Sequence, residues 1–418
     1  MNVNAKEQAG GLIKDPIGFF EHSRAKVLSM SREALSSLQL EALKLRFAQY
    51  RGRLPMMDRL ADIQGVSAIA ELNDVLPLLF DAAIYKSYPP SLVEKHRYPQ
   101  LTQWLGKLTT ADLSGIDTSA CRTIDEWLLR LKSETPLAVT HTSGTSGTMS
   151  FVPWTKADWQ MQVRLYPLMF CDDFGPGFNL PMNIDCIYPA FRHGFVSHSL
   201  VNDAIVDVIS GAEERLHCAY PGRLSADVML LAARRRAMPA KGQADSVKVD
   251  PEVEARHAEF VAQQRQMPIH LASFFENVGS RLAGRRVWIL ATPTLLLSLA
   301  EKGLNRGLRQ VFAANSVISS GGGGKGVVLP DDWQAPVKEF LGVQKINFIY
   351  GMSELTSVTY GCSAENYHIP PWLIPFMLDA DNKPLPRAGR VTGRAAFYDL
   401  LTTARWGGFV AGDEVTLE

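Results

Sequence analysis

Between residues 17 and 50 apolar side chains return at helical spacing. Leu35, Leu38, Ala42 and Leu45 form one stripe and Leu40, Leu43 and Phe47 lie beside it, in a background of Leu, Ala, Glu, Lys and Arg. After the entry signal Asp15-Pro16, this period predicts two or three amphipathic helices. A second polar, helical region runs to about Lys132, broken at Tyr88-Pro89-Pro90, at Tyr98-Pro99 and at an Asp117-Thr118-Ser119 turn. Within it Ile124-Asp125-Glu126-Trp127-Leu128 reads as a helix start, with Thr123 or Asp125 as its cap. From Pro136 onward the texture changes. Short β-rich runs, Leu137-Ala138-Val139, Val287-Trp288-Ile289-Leu290, Val317-Ile318 and Ile346-Asn347-Phe348-Ile349-Tyr350, alternate with helix-length segments such as 293–308. That alternation predicts an α/β fold, with sheets covered by helices. Residues 234–266 are the most polar of the chain and read as an exposed loop leading into a helix.

The chain has 418 residues, of which 46% are hydrophobic, enough for one large domain or two ordinary ones. The pattern divides it into a helical region, 1–135, packed on an α/β core, 136–418. With 43 basic and 43 acidic residues there is no global field to draw nucleic acid or an anionic membrane. Any bound anion must be held by local geometry. The five cysteines are scattered and odd in number, which excludes a disulfide framework or a zinc ribbon. The first residues lack an apolar signal core, and no stretch reaches the roughly 18 apolar residues a membrane span needs. The expectation is a soluble, cytoplasmic protein. The last residues, Val415-Thr416-Leu417-Glu418, follow a Gly-Asp turn and read as mid-strand, so a fragment of a longer protein is expected.

The strongest chemical signal is Thr140-His141-Thr142-Ser143-Gly144-Thr145-Ser146-Gly147-Thr148, a run of hydroxyls and glycines behind an apolar strand. Such a turn gathers backbone N–H groups and hydroxyl donors around one point, as a polyphosphate requires. A second glycine-rich segment, Ser319-Ser320-Gly321-Gly322-Gly323-Gly324-Lys325-Gly326, follows Val317-Ile318. Without Cβ atoms its backbone can approach a flat ring. A phosphate loop of the G-x-x-x-x-G-K-[ST] type, and with it a phosphoryl-transfer enzyme, would need Ser or Thr after the lysine, and Gly326 stands there.

Residues Thr142 to Gly147 resemble the T-S-G-[ST]-T-G-x-P-K loop of the adenylate-forming superfamily of acyl-CoA synthetases, peptide-synthetase adenylation domains and luciferase-like enzymes. Met149-Ser150 replaces its closing Pro-Lys, and the phenylacetate-CoA ligase and acyl-protein synthetase branches also tend to lack that lysine. Tyr350-Gly351-Met352-Ser353-Glu354 resembles the superfamily's Y-G-x-T-E motif, and Gly412-Asp413 its T-G-D motif. The tail segments around His368-Ile369-Pro370-Pro371-Trp372 and Gly389-Arg390-Val391-Thr392-Gly393 resemble the acyl-protein synthetase branch more than the general CoA ligases.

The resemblance implies a large core of helix-covered β-sheets plus a distorted β-barrel subdomain. It implies ATP and Mg²⁺ as cofactors, and activation of a fatty or aryl carboxylic acid to an acyl-adenylate. The acyl group would then pass to a thiol on a partner protein, a carrier phosphopantetheine or CoA. By the same resemblance Thr142, Ser143, Gly144, Thr145, Ser146 and Gly147 hold the phosphates, and Gly321, Gly322 and Gly323 line the adenine pocket. Tyr350 packs on adenine within the Gly351-Met352 turn, Ser353 bonds the α-phosphate, Glu354 holds Mg²⁺, and Asp413 takes the ribose hydroxyls. In Tyr188-Pro189-Ala190-Phe191-Arg192-His193-Gly194, His193 is the candidate gate for the carboxylate. The small mobile C-terminal domain of most superfamily members would begin where this sequence ends. A non-catalytic binding protein on the same fold is the alternative.

Overall fold

The structure, a computed structural model, describes residues 3–142, 148–169, 178–237, 251–322, 327–362, 364 and 366–418. The chain opens with helices Val3–Lys14, Pro16–Phe19, Arg24–Leu28, Arg32–Tyr50 and Pro55–Gln64. On the Arg32–Tyr50 helix Leu38, Ala42, Leu43 and Phe47 are buried, as their spacing dictates, and Ser31 caps its N-terminus by accepting from the Ala34 N–H. The helix is tied to the far end of the chain. Gln39 Nε2 donates to the Pro371 carbonyl at 2.9 Å, Arg46 Nε to Leu400 O at 2.6 Å, and Tyr50 Oη to Thr402 O at 2.5 Å.

The centre of the molecule is a seven-stranded sheet. Strands β4 (Asp185–Gly194), β5 (Leu216–Leu224), β6 (Val287–Ala291), β7 (Val317–Gly321), β8 (Asn347–Tyr350), β9 (Thr359–Gly361) and β10 (Tyr367–His368) lie in the order β10-β9-β8-β7-β6-β4-β5. From β5 to β8 all neighbours are parallel, and β9 and β10 add an antiparallel edge. Successive residues face opposite layers, the period-two signature of a strand covered on both sides. Cys186, Trp288 and Val317 enter one core with the N-terminal helices. Ile187, Ile289 and Ile318 enter a second, with helices Pro251–Arg281, Pro293–Asn305 and Gln334–Leu341.

The mixed α/β architecture agrees with the sequence pattern, and one expectation is corrected. The apolar run 137–139 is not a regular strand; β2 spans Thr140–Thr142 and pairs with β3, Ser150–Val152. The register continues to a lone bridge between Leu137 and Thr155. Between them Pro153, which has no N–H, faces Val139, so the ladder is interrupted there. The expected distorted barrel is not shown: among the described residues Phe80–Asp81, Gly408–Leu417, Val391–Asp399 and Leu373–Leu378 form a four-stranded sheet in the order β1-β13-β12-β11. Its outer strands, β1 and β11, do not pair with each other among the described residues.

Candidate functional site

The sequence motifs converge where β7 and β8 end, beside the β2–β3 hairpin. Gly321 is the last residue of β7, and a side chain is excluded there because a Cβ would come within 2.5 Å of the Ile349 side chain and 2.9 Å of its carbonyl. The next residue, Gly322, has φ of +86°, a turn that favours glycine. Gly323 lies outside the described residues, as do Ser143, Gly144, Thr145, Ser146 and Gly147 of the hydroxyl-rich loop. Thr142 ends β2, half-buried opposite Ser150, so the hairpin carries both ends of that loop.

β8 delivers Tyr350 and the following turn. Gly351 packs so closely on Val358 that a Cβ would sit 2.8 Å from its Cγ1. Tyr350 donates its hydroxyl to Asp413 Oδ2 at 2.7 Å, which joins the two motifs across 63 residues of sequence. Burial and that carboxylate both push the Tyr350 phenol well above its ordinary range, so it stays a proton donor. Asp413 is exposed, and its other oxygen has no hydrogen-bond partner among the described residues.

Ser353 meets a residue that sequence reasoning missed. Its Oγ is 2.8 Å from Ser197 Oγ, which in turn is 3.2 Å from Thr140 Oγ1. Ser197 is the first residue of the Ser197–Ile205 helix. Three hydroxyls from β2, a helix start and the β8 turn thus form one part-buried chain. No single-sequence spacing announces Ser197, because a serine at a helix start is common.

The backbone of the Ser353-Glu354 turn is fixed from three sides. Trp154 Nε1 donates to Ser353 O at 2.8 Å. The Arg405 guanidinium, fully buried, donates to Glu354 O through Nε and Nη2 at 3.2 and 2.9 Å, and to Pro153 O through Nη1 at 3.0 Å. It also lies over the Trp154 ring, 4.4 Å from the centroid. Asp399 accepts from Ser357 N at 2.7 Å and Ser357 Oγ at 3.0 Å. These groups are structural scaffolding for the turn, and Arg405 was not singled out by its sequence context.

Burial raises the Glu354 carboxyl above its ordinary range, with Arg405 opposing. A part-buried carboxylate whose charge is only partly offset by Arg405 is a natural partner for a cation. Among the described residues no group of three or more His, Cys, Asp and Glu could hold a metal alone. A magnesium ion needs only one or two carboxylates when phosphate oxygens and waters complete its shell, so Glu354 fits as that ligand.

The two histidines diverge. His193 sits exposed near the end of β4, in register with Arg223, and makes no bond to the hydroxyl chain. Partial burial, then Arg192 and Arg223, hold its pKa down. His141, not singled out beforehand, is 2% exposed in β2, and neither ring nitrogen has a hydrogen-bond partner among the described residues. Burial, then His198, pushes it down to about 3, so it is neutral at physiological pH.

No family model matches the sequence, and the search of curated proteins returns no match. Among solved structures the chain is similar to an open conformation of 2-hydroxyisobutyryl-CoA ligase with 2-HIB-AMP and CoA. The identity is 14%, the TM-score 0.49, and the match covers 92% of this chain and 70% of that one. It is also similar to apo MatB from Rhodopseudomonas palustris, at 14% identity and a TM-score of 0.34, over 66% of this chain and 44% of that one. For a long-chain-fatty-acid-CoA ligase, FadD1, from Archaeoglobus fulgidus, the values are 13%, 0.37, 66% and 48%. This chain spans less than half the length of the last two, and the functional reading below rests on its own residues.

Proposed function

We propose that this chain activates a carboxylic acid with ATP to an acyl-adenylate, releases pyrophosphate, and passes the acyl group to a thiol. The observation that carries this reading is the 2.7 Å hydrogen bond from Tyr350 to Asp413, beside the Ser353–Ser197–Thr140 chain. It sets a flat aromatic ring, a carboxylate acceptor and a hydroxyl array at the end of one parallel sheet, where α/β folds bind nucleotides. Tyr350, with Gly321 and Gly322, would receive adenine, and Asp413 the ribose hydroxyls. Thr142 and the loop 143–147 would receive the polyphosphate.

In the reaction a carboxylate oxygen attacks the α-phosphorus, the bond to the bridging oxygen of the β-phosphate breaks, and pyrophosphate leaves with that electron pair. Negative charge builds on the α-phosphoryl oxygens. Donors already aimed there stabilise it without reorganisation. If Thr140 donates to Ser197 and Ser197 to Ser353, the Ser353 proton is directed outward to an α-phosphate oxygen. Bound magnesium neutralises phosphate charge, and Glu354 would hold it. His193, on an exposed strand end, would border the incoming acid. The fatty or aryl nature of that acid, and the choice among a protein cysteine, a carrier phosphopantetheine and CoA, belong to the same proposal.

The test is mass spectrometry after incubating the protein with ATP, Mg²⁺ and a panel of fatty, aryl and amino acids. One acyl-AMP is expected, and Ser353→Ala should lower its rate of formation about 100-fold, as loss of one transition-state donor does. Nucleotide binding with no acyl-AMP from any acid would return the chain to the reading of a non-catalytic binding protein.

A further inference from the structure

A cavity of about 720 Å³ lies between the Arg32–Tyr50 helix, the segment that leads from β10 into β11, and the face of the four-stranded sheet. None of Thr140, Thr142, Ser197, Ser353, Glu354 or Asp413 lines it; Tyr350 alone is shared with the site above. Its size suits a small-molecule ligand. Much of its wall is apolar, with Leu35, Ile369, Leu373, Met377, Phe397 and Leu417 contributing.

Two arginines also line this wall, Arg32 and Arg387. Arg387 Nη1 donates to the Pro375 carbonyl at 3.0 Å and the guanidinium lies 5.1 Å from the Phe376 ring centroid, but neither arginine has a carboxylate partner among the described residues. The one acid in the lining, Glu418, is engaged with Arg390 at 3.1 Å. Burial and the nearby Arg32 charge both hold the Arg387 pKa down, so the part-buried Arg387 guanidinium sits under repulsion from the exposed Arg32. Charges placed this way gain most from an anion that reaches both.

We propose that this cavity binds an amphiphile with a single apolar chain and a phosphomonoester head, the head between Arg32 and Arg387 and the chain along Leu35, Met377 and Phe397. A dianionic head matches the two positive charges, and guanidinium forks match phosphate geometry. The apolar wall distinguishes such a ligand from a free phosphate. This inference does not depend on the activity proposed above.

Calorimetric titration of the full chain with decyl phosphate, below its micelle concentration, tests it. Decyl phosphate should bind at least about tenfold more tightly than decanol or inorganic phosphate, because each lacks one of the two interactions. Arg32→Gln, at an exposed helix position, and Arg387→Met should each weaken binding by about tenfold or more. Ser353→Ala should leave it unchanged. Equal binding of decanol and decyl phosphate, or Arg32→Gln and Arg387→Met variants that bind like the wild type, would overturn the proposal. A thermal melt of the exposed-site Arg32→Gln variant that matches the wild type confirms that its loss of binding is not loss of fold.

Discussion

Two regions of the molecule place charge in the interior to tie segments together, and they do so by opposite chemistry. At the Ser353-Glu354 turn the charge is Arg405, which spends its donors on the carbonyls of Glu354 and Pro153 and its face on Trp154. Where helices Ile124–Glu134 and Ala226–Ala237 meet, the charges are two aspartates that cap each other's helices. Asp227 accepts from Ile124 N and Asp125 N at 2.8 and 2.9 Å, while Asp125 accepts from Ala226 N at 3.0 Å and Ser225 Oγ at 2.5 Å. A guanidinium cannot lose its proton in the working pH range, so the first tie is permanent. The second sets like charges side by side. Burial, then Asp125, pushes the Asp227 carboxyl up to about 7.

The largest expected effect breaks the permanent tie. Arg405→Met removes the donors to the buried Pro153 carbonyl and the part-buried Glu354 carbonyl, and the stack on Trp154, which should cost about 3–5 kcal/mol in denaturant unfolding. It should also abolish acyl-AMP formation by releasing the Ser353 turn. An intact turn, seen as full activity with the stability lost, would separate the fold from the site.

Protonation should distinguish the regions further, and its sign is fixed by the direction of each shift. For Asp227 the folded pKa is raised from 3.8 to about 7, so between those values the folded chain holds a proton that the unfolded chain has released. Its contribution to stability is full at low pH and is lost as pH rises toward 7. His141 acts oppositely: its folded pKa is lowered from 6.5 to about 3, so acidification below 6.5 protonates the unfolded chain first and destabilises the fold. From pH 6.5 to 5 that loss is about 2 kcal/mol, at roughly 1.4 kcal/mol per pH unit. Melts of His141→Gln and Asp227→Asn against pH should therefore tilt in opposite directions relative to the wild type. A histidine variant whose stability difference from the wild type does not change with pH would mean that the ring finds a proton-bonding partner.

How much of this was legible beforehand follows from what each feature needs. The Arg32–Tyr50 helix and strands β6, β7 and β8 were legible because burial repeats along the chain with a fixed period. Tyr350, Ser353 and Asp413 were legible as motif residues, and the structure joins Tyr350 to Asp413 and Ser353 to Ser197. Ser197, Arg405 and His141 were not, since their significance lies in partners, or missing partners, supplied by other elements. Arg405 contacts a turn 51 residues earlier, and nothing in Arg405-Trp406 signals that it is fully buried. The break after residues 137–139 depended on which residue faces Val139, a matter of register with Pro153.

The smallest expected effect divides one helix start between two kinds of cap. Thr123 Oγ1 accepts from Glu126 N at 3.1 Å, while the Asp227 carboxylate takes the Ile124 and Asp125 N–H groups of the same turn. Thr123→Ala should cost about 1 kcal/mol, the usual worth of a hydroxyl cap. That cost should be independent of pH, because the Glu126 N–H has no other acceptor in the turn and the hydroxyl does not titrate. If the Thr123→Ala cost grows as pH falls, the carboxylate and the hydroxyl share their donors, and the two caps act as one unit. A constant cost would leave Asp227 as the source of pH dependence at this joint, in contrast to Arg405, whose tie should hold equally at pH 5 and pH 8.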